Sequence, residues 1–174
     1  RFVSMIGSDM NKYKMGMNLL FTLRGKPQLY DGTELWMKNF KDPNDGMVRL
    51  DFPGGFPNDE KDKRMVSGRD QTENTAFNYV KTLANFRKNN TALQTGKMMQ
   101  WLPNDGLYVY FRYDQGSTVM IILNTSNKTK SVLLSNYGER TNGFKGFKDV
   151  VTGVLGVNKI DLAPMESRVV LLTK

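Results

Sequence analysis

The 174-residue chain contains no cysteine and no histidine. The first absence rules out disulfides and thiol nucleophiles. The second removes the side chain most used for proton transfer near neutral pH, which is also the commonest transition-metal ligand. Chemistry is left to carboxylates, tyrosine, lysine and arginine, and the sequence calls for no cofactor and no metal. No apolar run approaches the roughly 20 residues a membrane helix needs. At 39% hydrophobic the chain is too apolar for a disordered segment. It also lacks internal repeats, low-complexity tracts and long blocks of one charge. The net charge of +8 is spread over short groups such as Arg87-Lys88 and Lys61-Asp62-Lys63-Arg64, most of them interrupted by acids. That pattern reads as solvated surface, so neither nucleic acid nor membrane is expected as a partner. The chain opens on Arg1 rather than Met, which leaves a leader upstream open.

What is present changes character midway. Residues 10–23 carry a helical pattern, with Met15, Leu19 and Leu23 on one stripe and Tyr13, Met17 and Leu20 widening it. Ser8 or Asp9 is the expected N-cap, and Gly25 the expected C-terminal stop. Residues 27–30 read as the start of a parallel strand, after which a turn at Gly32 delivers Glu34. Helix, strand and functional loop is the rhythm of a parallel α/β barrel, whose reactive groups follow the strand ends. Residues 31–70 form a glycine- and proline-rich stretch holding Trp36, Phe40, Phe52 and Phe56 beside Asp42, Asp45, Arg49, Asp51 and Arg69. Rings that stack on apolar sugar faces, beside charged groups that bind hydroxyls, suit a saccharide. The same aromatics could instead anchor the loop to its scaffold.

A second helix begins near Thr72, expected as its cap, with Phe77, Val80 and Ala84 on one stripe, and ends at Asn89-Asn90. From Gly96 the period becomes alternating. Strands are expected over 97–102, 107–113, 118–124, 131–134, 149–151, 158–162 and 168–172, separated by turn signals such as Pro103-Asn104-Asp105-Gly106. Short strands in such succession indicate an antiparallel β-sandwich. The expected organisation is an α/β segment over residues 1–93, the last βα units of a TIM barrel, followed by an all-β sandwich over 94–174.

The run Arg24-Gly25-Lys26-Pro27-Gln28-Leu29-Tyr30-Asp31-Gly32-Thr33-Glu34 resembles the last barrel strand of the α-amylase superfamily of glycoside hydrolases. The likeness continues through Val48-Arg49-Leu50-Asp51-Phe52-Pro53-Gly54-Gly55-Phe56, then Asn74-Thr75-Ala76-Phe77-Asn78-Tyr79, then Leu107-Tyr108-Val109-Tyr110-Phe111-Arg112-Tyr113. Together these blocks look most like the neopullulanase and cyclomaltodextrinase branch, particularly its Bacteroidetes-type members. The resemblance implies a retaining α-glucan hydrolase acting on α-1,4 links in cyclodextrins, pullulan or starch oligosaccharides, and it suggests a periplasmic home. Retention needs two carboxyl groups about 5 Å apart, and the family positions for them would precede Arg1. No catalytic residue is therefore expected in this chain, which alone should be inactive. By the same resemblance, Asp42 and Arg49 grip glucose hydroxyls, and Tyr30 and Glu34 shape or contact the site floor; Trp36, from the aromatic loop, is expected beside them as a substrate-binding residue. Lys26 and Asp31 depart from the family pattern, which favours an apolar residue and a second Tyr there.

An isolated eighth strand would leave unpaired edges. Residues 1–90 are accordingly expected to order with the missing N-terminal barrel portion of the same protein, by rearrangement, or in a homo-oligomer, whereas the sandwich should fold alone. The expected ligand is an α-glucan oligosaccharide. The alternative is a noncatalytic glucan-binding or structural fragment, with Trp101, Tyr108 and Tyr110 stacking on glucan outside the sandwich.

Overall fold

A computed structural model describes residues 1–174. After a short helix α1 (Phe2–Met5), Asp9 caps α2 (Met10–Thr22), its Oδ1 accepting from the Asn11 and Lys12 amides at 2.8 and 3.0 Å. Gly16 lets α1 close on α2, since a Cβ there would lie 2.5 Å from the Phe2 ring. The buried face of α2 is Tyr13, Met15, Met17, Asn18, Phe21 and Thr22, while Leu23 lies beyond the helix and is exposed.

Gly25 does not cap α2. Leu23 ends the helix in an extended conformation, and the terminal carbonyls turn to arginines instead. Arg112 donates to Thr22 O at 2.8 Å, and Arg87 donates to Phe21 O at 2.9 Å and Gly25 O at 2.6 Å. Cations suit this negative end of the helix dipole.

The expected strand at 27–30 is not formed. These residues join no sheet, and Lys26 and Asp31 are exposed. A parallel strand needs a neighbour to hydrogen-bond, and no strand of this chain pairs with them. The TIM-barrel expectation for this segment thus has no strand to support it here. Residues 24–70 instead form a long connection with 3₁₀ turns at Thr33–Leu35, Asp45–Val48 and Val66–Gly68. Helix α3 (Gln71–Lys88) is capped by Asp70, two residues before the expected cap at Thr72. Asp70 and Glu73 form a reciprocal capping box, Glu73 N donating to Asp70 Oδ1 at 2.8 Å and Asp70 N to Glu73 Oε2 at 3.0 Å. The single turn α4 (Thr91–Gln94) leads to the sheet.

The strands are β1 (Lys97–Gln100), β2 (Leu107–Tyr113), β3 (Thr118–Asn124), β4 (Lys130–Leu133), β5 (Gly146–Asp149), β6 (Leu155–Gly156), β7 (Lys159–Leu162) and β8 (Ser167–Thr173), with the one-turn helix α5 (Gly138–Thr141) after β4. An antiparallel six-stranded sheet runs β1-β2-β3-β8-β5-β6, and β4 pairs with β7 in a second sheet. The fifth expected strand, 149–151, sits earlier at β5, because Asp149 Oδ1 accepts from the Val151 and Thr152 amides and turns the chain. The two sheets enclose Val109, Phe111, Met120, Ile122, Val132, Ile160, Leu162, Val170 and Leu172.

The opposite face of the large sheet is not solvated. Tyr110, Val119, Ile121, Leu123 and Val169 pack against Tyr13, Met17, Phe21, Tyr79 and Leu83 of the helices. The molecule is three layers, and β3, in the centre, is buried at every position. The apolar stripes of both long helices find cover on this face of the sheet. Polar ties register the layers. Asn18 Nδ2 donates to Ser167 Oγ at 2.8 Å, and the Tyr79 hydroxyl donates to Asn18 Oδ1 at 2.9 Å. The Tyr110 and Thr22 hydroxyls meet at 2.5 Å, and Thr22 also reaches Asn18 O. Thr22 has one proton, so Tyr110 donates to it.

Of the three aromatics proposed as an outer glucan platform, one is inside and one is half-buried. Tyr110 is fully buried under the helices, and Trp101 packs edge-on against Phe111 and Tyr137 at 5.2 and 5.1 Å. Tyr108, whose hydroxyl meets the Gln100 amide oxygen, cannot form a platform alone.

Candidate functional site

The long connection after α2 gathers at the N-terminal ends of α2 and α3. Gly32, at φ +74°, starts the turn that presents Glu34, a backbone conformation glycine adopts without steric cost. Trp36 closes the turn at φ +62°. A non-glycine residue there costs about 1–2 kcal/mol, and burial of the indole against Tyr13, edge-to-face at 4.9 Å, offsets it. The Tyr13 hydroxyl donates to Thr33 O at 3.0 Å and holds the same turn from below.

Arg1 is the hub that the sequence reading did not single out. Its guanidinium lies 4.7 Å from the centre of the Tyr30 ring, donates to Asp31 O, and reaches Leu50 O at 3.2 Å. Its backbone nitrogen donates to Asn39 O at 2.9 Å. One residue therefore fastens three parts of the loop. No local pattern marks such a role, because every partner but the Tyr30 ring is a backbone carbonyl distant in sequence.

Glu34 is half-buried, and burial raises its carboxyl above the usual range. The Asp31 charge adds to that, while the backbone N–H groups of Glu34 and Gly32 and the Arg1 charge oppose it. Burial, and then the Glu34 charge, push the Tyr13 phenol up as well.

Beside this turn a groove of about 890 Å³ is lined by Trp36, Lys38, Leu50, Asp51, Lys63 and Thr72, among others. Its floor includes Glu73, which pairs with Lys63. Arg69 is a buckle behind the groove rather than a free guanidinium. It donates to Asn74 Oδ1, Lys63 O and Arg64 O at 2.9, 2.9 and 3.1 Å and lies 4.0 Å over the Phe77 ring.

The structure brings Tyr30 and Glu34 together around Arg1 and puts Trp36 on the groove wall with most of its ring buried. Asp42 and Arg49 lie apart on an exposed arm, where neither side chain makes a hydrogen bond or ion pair. Arg49 ends the 3₁₀ turn through its amide, which donates to Gly46 O at 2.9 Å. Phe40 and Phe56 are likewise exposed at 58% and 59%, leaving ring faces free on the same loop. The groove itself offers carboxylates, two lysines and hydroxyls, groups that can bind a polyhydroxylated ligand, while Asp42, Arg49, Phe40 and Phe56 lie outside its lining.

Residues 98–171 match the family model of the cyclo-malto-dextrinase C-terminal domain. Over 169 residues the chain is 28% identical to a cyclomaltodextrin glucanotransferase of Geobacillus stearothermophilus, covering 92% of this chain and 21% of that protein. It is 30% identical over 156 residues to an α-amylase of Niallia circulans, covering 88% of this chain and 25% of that protein. The fold superposes with a TM-score of 0.70 on the α-amylase of Geobacillus thermoleovorans solved with acarbose, at 23% identity over 94% of this chain and 33% of that one. The β-rich half is thus a domain of the cyclo-malto-dextrinase C-terminal type, and over most of its length the chain is similar to part of cyclomaltodextrin glucanotransferases and of an α-amylase. The chain spans about a fifth to a quarter of the length of the two relatives named.

Proposed function

We propose that this chain forms one wall of the substrate cleft, together with the C-terminal β-sandwich, of a retaining α-glucan hydrolase acting on α-1,4 links of cyclodextrins, pullulan or starch oligosaccharides. On this reading residues 1–93 are the C-terminal end of a (β/α) barrel and residues 94–174 the sandwich. The catalytic carboxylates reside on barrel elements outside this chain, which contributes binding and positioning. The observation that carries the reading is the Arg1 clasp. It fixes Tyr30 and the Glu34 turn next to the groove, at the helix N-terminal ends where a barrel presents its site. The unpaired segment 27–30 suits a strand whose neighbours are supplied by that barrel.

Asp42 and Arg49, free of internal partners, are the groups assigned to sugar hydroxyls. In the full-length protein, Asp42→Ala and Arg49→Ala are each expected to lower kcat/KM on maltoheptaose roughly 10- to 100-fold, the loss of a hydrogen bond to a charged group. The melting temperature should not change. Unchanged kinetics in both variants would remove this arm from the substrate site. The chain alone should release no reducing sugar.

A further inference from the structure

We propose that the crevice between the helix layer and the turns flanking β8 is a second binding site, for a single neutral sugar unit. It encloses about 340 Å³ and shares no lining residue with the groove at Trp36. That volume is at the small end of the range for small-molecule sites, roughly 300–1,000 Å³.

The lining is polar but balanced. Asp149 and Glu166 supply two negative charges, and Lys14 and Arg168 two positive ones. Glu166 and Arg168 satisfy each other, with Arg168 Nε and Nη2 each 2.9 Å from Glu166 Oε1. Asp149 is left short of partners. It is only 4% exposed, its Oδ1 accepts from the Val151 and Thr152 amides, and its Oδ2 lies 3.7 Å from the nearest Arg168 nitrogen. That separation is beyond a hydrogen bond. A carboxylate this buried is expected to have its acceptor sites filled, and its remaining opening is this crevice.

Across from it, Lys14 Nζ pairs with no carboxylate and sits 5.6 Å from the centre of the Tyr79 ring, while the Asn11 side-chain carboxamide makes no hydrogen bond. Tyr79 is held in place because its hydroxyl donates to Asn18 Oδ1. The half-buried Val151 side chain and the small part of the Tyr79 ring that remains exposed, 8% of the residue, offer a narrow apolar strip between a free acceptor and free donors. An anion would face Asp149 and Glu166, and a cation would face Lys14 and Arg168. A pyranose can donate to Asp149, accept from Lys14 and Asn11, and lay its C–H face on the strip.

Met165 lies on the wall of the crevice, so its methyl group reports occupancy. The full-length protein, labelled with ¹³C-methyl methionine and assigned with Met165→Leu, is titrated with maltose and separately with sulfate. Maltose is expected to move the Met165 signal saturably and sulfate to leave it still. Lys14→Ala should weaken that response about tenfold, the loss of one charge-assisted hydrogen bond. Ala163→Trp, placed at the exposed rim, should abolish it while the other methionine signals show an intact fold. A Met165 signal that stays still while other methionines respond to maltose overturns the proposal. So does a response to sulfate equal to that with maltose, which would make the crevice an anion site.

Discussion

Glu34 and two of the three buried arginines, Arg87 and Arg112, show how single residues are set by partners far away in the chain. Burial, reinforced by Asp31, keeps Glu34 protonated to a higher pH in the folded chain than in the unfolded one. The stability linked to it is therefore complete below the ordinary glutamate value of about 4.3 and is lost as pH rises through the raised folded value. Glu34→Gln cannot ionise. It is expected to melt above the parent at neutral pH and to match it below about pH 4, which a series of thermal melts across pH would show. A gap that persists in acid would mean the carboxylate's charge is not the cause. Arg112 is only 1% exposed and Arg87 only 9%, and neither has a carboxylate partner. Burial lowers the pKa of both. Carbonyls at the end of α2 take the place of counterions, although Arg112 Nε finds no partner at all.

Among the elements, α3 shows how a cap is chosen. Thr72 was a reasonable N-cap by residue type, but Asp70 has Glu73 three residues on, and the reciprocal pair satisfies two amides at once. Asp70→Ala is expected to cost about 1 kcal/mol, and Thr72→Ala only a small fraction of that. Chemical denaturation with unchanged slope would measure both. Equal losses would argue against the box. The strands β2 and β3 were legible for opposite reasons. In β2 the alternation of Val109 and Phe111 with Tyr108, Tyr110 and Arg112 places the first pair inside the sandwich and turns the others toward the helices. In β3 the run from Val119 to Leu123 has no polar side because both faces are covered. Residues 27–30 read as a strand in sequence and form none here, because strand propensity speaks to one segment whereas pairing requires two.

For the whole molecule, the layering makes the sandwich dependent on the helices. Residues 94–174 by themselves would bare Tyr110, Val119, Ile121, Leu123 and Val169, an apolar face larger than isolated surface residues make. That fragment is expected to bind a hydrophobic dye and to associate in light scattering, whereas the 174-residue chain does neither. A dye-silent monomeric fragment would show that the sandwich stands alone after all. The four-member network of Asn18, Tyr79, Thr22 and Tyr110 would be cut in the same fragment, leaving Tyr110 without its acceptor.

The sequence by itself determined both helices, seven of the eight strands to within a few residues, and the family resemblance, because periodicity and ordered motif blocks are local properties of the chain. It also placed Glu34, Trp36, Asp42 and Arg49 on one long connection, directly after the segment that holds Tyr30. Only the tertiary structure decided that Arg1 gathers the first two, that the Trp36 ring is largely buried on Tyr13, and that Asp42 and Arg49 stand free on an exposed arm. It alone set the helices on the outer face of the sheet and opened a crevice beside Asp149. These outcomes depend on contacts between residues tens of positions apart, and backbone carbonyls and shared apolar faces leave no mark on neighbouring residue types.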